Sequence, residues 1–124
     1  MPGPRRRRAA AFALGAHLAP LDIVEYRGHG YPAEMQGEMF VASHGSWNRE
    51  IAQVGTMIIR LKMGANGPIE AQPFQGGLVA ATGQITQGPA AWAIRPASIR
   101  IDKAGLLVWS DDGTGTINKI GYKP

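Results

Sequence analysis

Thr56-Met57-Ile58-Ile59-Arg60-Leu61-Lys62, then the pair Asn66-Gly67, then the run Ile69–Phe74, is the stretch that decides the fold. Adjacent isoleucines are stiff at χ1 and fit a pleated surface better than a helix turn. An Asn-Gly pair between two β-rich runs is a strong short-range hairpin signal. The same pattern extends outward. Upstream lie Leu21–Tyr26, bounded by Pro20 and Gly28, and Glu38–Ser43, which follows Gly37. Downstream lie Ala97–Ile101, Leu106–Ser110 and Thr116–Tyr122, with turns at Asp102–Gly105 and Asp111–Gly115. Between the groups, Gly76 to Ala93 is rich in Gly, Ala, Gln and Thr and reads as a long loop. No stretch after Leu21 keeps a helical apolar period, and Ala33–Met39 has room for a single turn of helix.

The expected fold is therefore all-β, with about seven strands in two antiparallel groups, four and then three. Groups of this size are what a β-propeller uses as blades, and a small sandwich is the alternative. Residues 1–13 are expected to form a disordered Arg-rich arm, and residues 14–124 a partial propeller. Within it, one blade would cover about 21–75, a linker loop 76–93, and a second blade about 94–122.

Composition narrows the function. The chain has 124 residues, enough for one domain or a piece of one. Its 17 Gly and 9 Pro suit short elements joined by tight turns and argue against a helix bundle. The absence of Cys excludes disulfide scaffolds, thiolate metal sites and Cys nucleophiles. No apolar run is long enough for a membrane-spanning helix. The formal net charge is +4, and Arg5, Arg6, Arg7 and Arg8 account for all of it. The remaining chain is balanced, so no nucleic-acid partner is expected for its body. The Arg run followed by Ala9–Leu14 has the outline of a secretory signal, but Gly15, His17, Pro20 and Asp22 interrupt the apolar stretch early. A disordered arm is the favoured reading, and nucleic-acid binding by the arm is the weakest.

Three polar clusters are candidates for chemistry. Ser43-His44-Gly45-Ser46-Trp47-Asn48-Arg49 is the densest and directly follows an apolar strand. His44 there suits a proton shuttle or a ligand. A serine hydrolase would need a nucleophile elbow, which the chain lacks. A polar turn packed by Trp47 accounts for the cluster equally well. In Ile94-Arg95-Pro96, the proline holds Arg95 in extended geometry, which would suit forking onto a carboxylate, but an ordinary surface arginine is the favoured reading of these residues by themselves. Asp111-Asp112-Gly113-Thr114-Gly115 lacks the acidic spacing of a calcium loop and reads as an ordinary turn.

In order along the chain, Gly15–Leu21, Glu25–Gly28, Tyr31–Glu34, the hexapeptide His44–Arg49 with the strand before it, Ile94-Arg95-Pro96 and Gly105–Asp112 resemble the C-terminal portion of the glucose/sorbosone dehydrogenase family. These are soluble quinoprotein sugar dehydrogenases. The resemblance implies a six-bladed propeller binding pyrroloquinoline quinone and calcium, with a sugar or aldehyde substrate. It implies cofactor contacts at Arg95, Arg49, His44 and Asp111, and a substrate-entrance position for His17. The residues after Arg95-Pro96, Ala97 and Ser98, depart from the family's usual Gly or Val. The family's general base and calcium ligands match nothing here, so neither a catalytic residue nor a metal ligand is assigned to this chain.

A fragment of such an enzyme, inactive alone, is thus expected, and the resemblance implies a periplasmic or secreted location. The alternative is a non-catalytic β module that associates with itself or with missing blades through its open sheet edges.

Overall fold

The computed structural model describes residues 10–15, 18–45, 56–76, 78–79, 85–86 and 94–124, the two short pairs by backbone alone. It is all-β, with strands β1 (Pro20–Glu25), β2 (Met39–Ser43), β3 (Met57–Gly64) and β4 (Gly67–Gln75) in one antiparallel sheet, ordered β1-β2-β3-β4. Short strands β5 (Leu78–Val79) and β6 (Ile85–Thr86) pair within the stretch expected to be a loop. Strands β7 (Pro96–Ile101), β8 (Leu107–Asp111) and β9 (Thr116–Ile120) form a three-stranded antiparallel sheet. The two main sheets match the expected groups of four and three strands. The turn of helix between Ala33 and Met39 is a 3-10 turn over Ala33–Met35.

The β3–β4 hairpin forms where the sequence puts it, with one difference in the turn. Gly64 pairs with Gly67, so the loop residues are Ala65 and Asn66. Neither has a positive φ, and the reversal falls on Gly67 at φ +127. The glycine is needed for its backbone conformation, since a Cβ there would meet nothing within 4 Å.

Alternation along β2 and β3 builds two apolar layers, because successive strand side chains face opposite ways. Phe40, Ala42 and Ile58 face the second sheet. There they join Ile99, Leu107 and Trp109, with Tyr26 and Tyr31 from the β1–β2 connection. Val41, Met57, Ile59 and Leu61 face the other way, where Phe12, Leu14 and Leu18 cover them. Both central strands of the first sheet are thus covered on both faces. Residues 1–9, the greater part of the expected arm, lie outside the described residues.

Strand β7 lies against β1 and β2, joining the sheets. The Asp22 carboxylate accepts the Ile99 backbone N–H at 3.0 Å and an Arg100 guanidinium N–H at 2.7 Å. A free N–H on the edge of the second sheet is thereby capped by a side chain from the first. No helix among the described residues is long and apolar enough to cross a membrane.

Candidate functional site

Strand β2 ends at Ser43, and hydrogen bonds fix the chain beyond it. The Ser43 hydroxyl donates to the Leu18 carbonyl. The His44 N–H donates to the Ala19 carbonyl at 3.0 Å and the Gly45 N–H to the Leu18 carbonyl at 2.9 Å. Ala19 adopts φ +46, a left-handed conformation that costs a residue with a Cβ. These contacts present the His44 imidazole at the end of the first sheet. Ser43 is fully buried and bonded to backbone, so it does not form a nucleophile–base pair with His44.

Arg95 approaches from the second sheet, one residue before β7. The β8–β9 turn grips its backbone from both sides. Its N–H donates to Asp111 Oδ1 at 3.0 Å, and its carbonyl accepts the Asp112 N–H at 2.9 Å. Asp111 Oδ1 also accepts the Gly113 N–H at 2.9 Å and the Thr114 N–H at 3.2 Å. A carboxylate accepting several backbone N–H groups is a turn-forming device. Pro96, paired with Asp111, has no N–H to contribute, and the Arg95 N–H beside it takes the Asp111 side chain instead. Gly113 lets the turn close, because a Cβ there would sit 3.2 Å from both Arg95 Cγ and Asp111 Oδ1.

The side chains meet across the gap between the sheets. Arg95 Nη2 lies 3.2 Å from His44 Nδ1, and His44 Nε2 lies 2.9 Å from Asp112 Oδ2. A guanidinium has only donors, so Nδ1 accepts and the imidazole proton sits on Nε2, facing the carboxylate. Arg95 Nε is buried and, among the described residues, has no hydrogen-bond partner. A buried donor without an acceptor is costly, so this N–H calls for an acceptor that the described residues do not supply. Beside the site, an open cleft of about 370 Å³ is lined by Ile94, Trp109, Asp111, Thr116 and Asn118, among others.

Of the residues singled out from the sequence, His44, Arg95 and Asp111 come together here. Arg49 and His17 lie outside the described residues, as do Ser46, Trp47 and Asn48. Asp112 was visible only as part of a turn. Its partnership with His44 joins positions 68 residues apart, and no local spacing signals it. Among the described residues no three His, Asp or Glu side chains are grouped to hold a metal ion.

Residues 4–123 match the TrAA12-like family model. The chain belongs to the TrAA12-like family. This corrects the resemblance to the glucose/sorbosone dehydrogenases drawn from the sequence. Among the described residues, parts of the segments behind that resemblance fall at strand ends: Ser43 closes β2, Arg95-Pro96 opens β7, and Asp111 closes β8. Polar turns at strand ends follow sheet geometry, which many families share, so those segments report the architecture and not the family.

Two solved structures of carbohydrate-active enzymes of family AA12 from Trichoderma reesei fit this TrAA12-like chain, one described as an iodide structure and one as a calcium structure. Each is 26% identical, covers 82% of the chain and superposes with a TM-score of 0.54. The chain spans 24% of each of those proteins. A curated uncharacterized protein of Borreliella burgdorferi is 48% identical over 50 residues, which is 40% of this chain and 13% of that protein.

Proposed function

We propose that this TrAA12-like chain supplies part of the cofactor-holding wall of a pyrroloquinoline quinone-dependent oxidoreductase acting on a sugar or related aldehyde. Family membership supports the class, because AA12 is a quinone-dependent oxidoreductase family. The observation that carries the reading is the buried, unpartnered Nε–H of Arg95 beside a His44 fixed in one tautomer. Pyrroloquinoline quinone bears carboxylates, and a guanidinium donor is their natural partner. The quinone supplies the redox chemistry when bound, and the protein supplies binding and orientation.

Arg95 is the anchor in this reading, with His44 beside it and Asp111 holding the arginine backbone from behind. Arg49 is proposed as a second basic contact and His17 as a substrate-entrance residue. No catalytic base is assigned to the chain, and calcium, if the whole protein binds it, takes its ligands from elsewhere. The two sheets are read as successive propeller blades, covering about 21–75 and 94–122 and joined by 76–93. Their antiparallel order and the contact of β7 with β1 and β2 support this. A periplasmic or secreted location goes with the proposal. It rests on analogy with quinoprotein sugar dehydrogenases, and cell fractionation tests it.

The test is a titration of the full chain with pyrroloquinoline quinone, followed by quenching of tryptophan fluorescence. Arg95→Ala is expected to weaken binding at least about tenfold. Arg27→Ala, which removes an exposed partner of Glu25, is expected to leave it unchanged. Equal losses in the two variants overturn the assignment.

A second reading rests on Leu21 and Ile23 of β1, each more than half exposed. Exposed apolar side chains on an edge strand favour a non-catalytic assembly module that joins copies of itself or further sheets. Dye reduction by the isolated chain with glucose and added quinone would remove that reading.

A further inference from the structure

We infer that Asp112 is a positioning residue: it holds His44 in the Nε2–H tautomer, and through His44 it aims the Arg95 guanidinium. Three observations carry this. His44 has its two ring nitrogens engaged on opposite sides, Nδ1 by Arg95 at 3.2 Å and Nε2 by Asp112 at 2.9 Å. Asp112 and Arg95 are fixed in register by the bond between the Asp112 N–H and the Arg95 carbonyl. Asp112 is mostly exposed, so its carboxylate is not needed to fill the core.

The chemistry follows from the donors available. With a carboxylate at Nε2, the proton stays there and Nδ1 offers a lone pair to the guanidinium. An amide in place of the carboxylate presents N–H to Nε2 as readily as C=O. That choice leaves the Arg95 donor as the one constraint on the tautomer, so the Nδ1–H form gains population. A donor at Nδ1 then faces the donors of Arg95, and the guanidinium is pushed away instead of held. Asp111 does a different job, fixing the arginine backbone by accepting its N–H. Backbone and side chain of Arg95 are thus controlled by successive residues of one turn.

The part of this inference that concerns cofactor binding rests on the quinone reading above, and the test separates the two. The ring nitrogens of His44 are followed by ¹⁵N NMR in the full chain without quinone, with His44→Asn used to assign the signals. The native chain is expected to show the Nε2–H pattern, Asp112→Asn to show a measurable share of the Nδ1–H form beside it, and Asp112→Glu to restore the native pattern. The same tautomer in native and Asp112→Asn chains overturns the inference, as does an Nδ1–H or doubly protonated ring in the native chain at neutral pH. With added pyrroloquinoline quinone, Asp112→Asn is expected to bind roughly tenfold more weakly, the usual effect of removing a partner behind a binding group, and Asp112→Glu to recover part of the loss. The tautomer pattern in a chain with no quinone affinity upholds the relay and overturns the quinone reading.

Discussion

The Tyr26 hydroxyl lies 2.7 Å from the Gly105 carbonyl and ties the β1–β2 connection to the β7–β8 turn. The same oxygen accepts the Gly30 N–H at 3.0 Å and the Tyr31 N–H at 2.9 Å. Tyr31 repeats the device with strands β8 and β9. It donates to the Ile120 carbonyl at 2.7 Å and accepts the Leu107 N–H at 2.8 Å, and burial pushes its phenol above the ordinary range. Two phenols thus satisfy backbone groups of both sheets inside one aromatic cluster, their rings 5.1 Å apart.

Tyr26→Phe keeps the ring and removes the hub. It leaves a carbonyl and two N–H groups without their partner in a buried place, at a cost of about 1–3 kcal/mol. A lowered urea midpoint with an unchanged slope would report it.

Gly105→Ala is expected to cost more, on the order of 3 kcal/mol, through strain and clash together. Gly105 has φ +79, and a Cβ there would lie 2.6 Å from the Gly30 nitrogen and 2.7 Å from the His29 nitrogen. Both neighbours are backbone and cannot swing aside. Thermal unfolding of this variant against Gly115→Ala, which shares a positive φ but meets nothing within 4 Å, separates clash from backbone strain.

Glu38 and Arg60 form a two-pronged ion pair between the start of β2 and the middle of β3, with both side chains largely buried. Donating to the Glu38 carboxylate raises the Arg60 guanidinium above its ordinary range. Arg60→Met strands a buried carboxylate and is expected to cost on the order of 3 kcal/mol. The double variant with Glu38→Leu should recover most of that loss in a denaturant series, because no charge is then left unpaired.

Asp22 governs the acid side of the stability profile. The Ile99 N–H, and then Arg100, hold its carboxyl below the ordinary value of 3.8. A lowered folded-state value means the stabilisation is complete above the unfolded value and is lost as pH falls through the folded one. Asp102, lowered first by Lys119, acts in the same direction. Asp22→Asn should therefore flatten the loss of stability between about pH 5 and pH 2, measured as urea midpoints across that range. An unchanged acid limb would defeat the assignment.

How much of this was legible in the sequence depends on the range of each interaction. Strand runs such as Met57–Leu61 carry their own period, so all seven main strands stand where the sequence placed them. The glycine at position 67 was legible as a turn residue, but which turn it makes depends on register. Cross-sheet meetings were not legible. His44 finds Asp112, Asp22 finds Ile99, and Tyr26 finds Gly105 through the docking of two sheets, and nothing local encodes that docking. The hydrogen-bonding roles of the Tyr26 and Tyr31 hydroxyls were not legible for the same reason. Proline after arginine marks the geometry of Arg95 locally but leaves an ordinary surface arginine as the better reading, and its buried Nε–H is visible only once the sheets are together.

The double covering of β3 has a kinetic consequence. Amides at Met57 and Ile59 sit beneath Phe12 and Leu18 on one side, while Ile58 points into the tyrosine cluster on the other. Solvent deuterium reaches them only when both coverings lift together, so they exchange last. The end of the sheet that presents His44, where Ser43 pairs with Met57, is then anchored on one of the slowest clocks among the described strands.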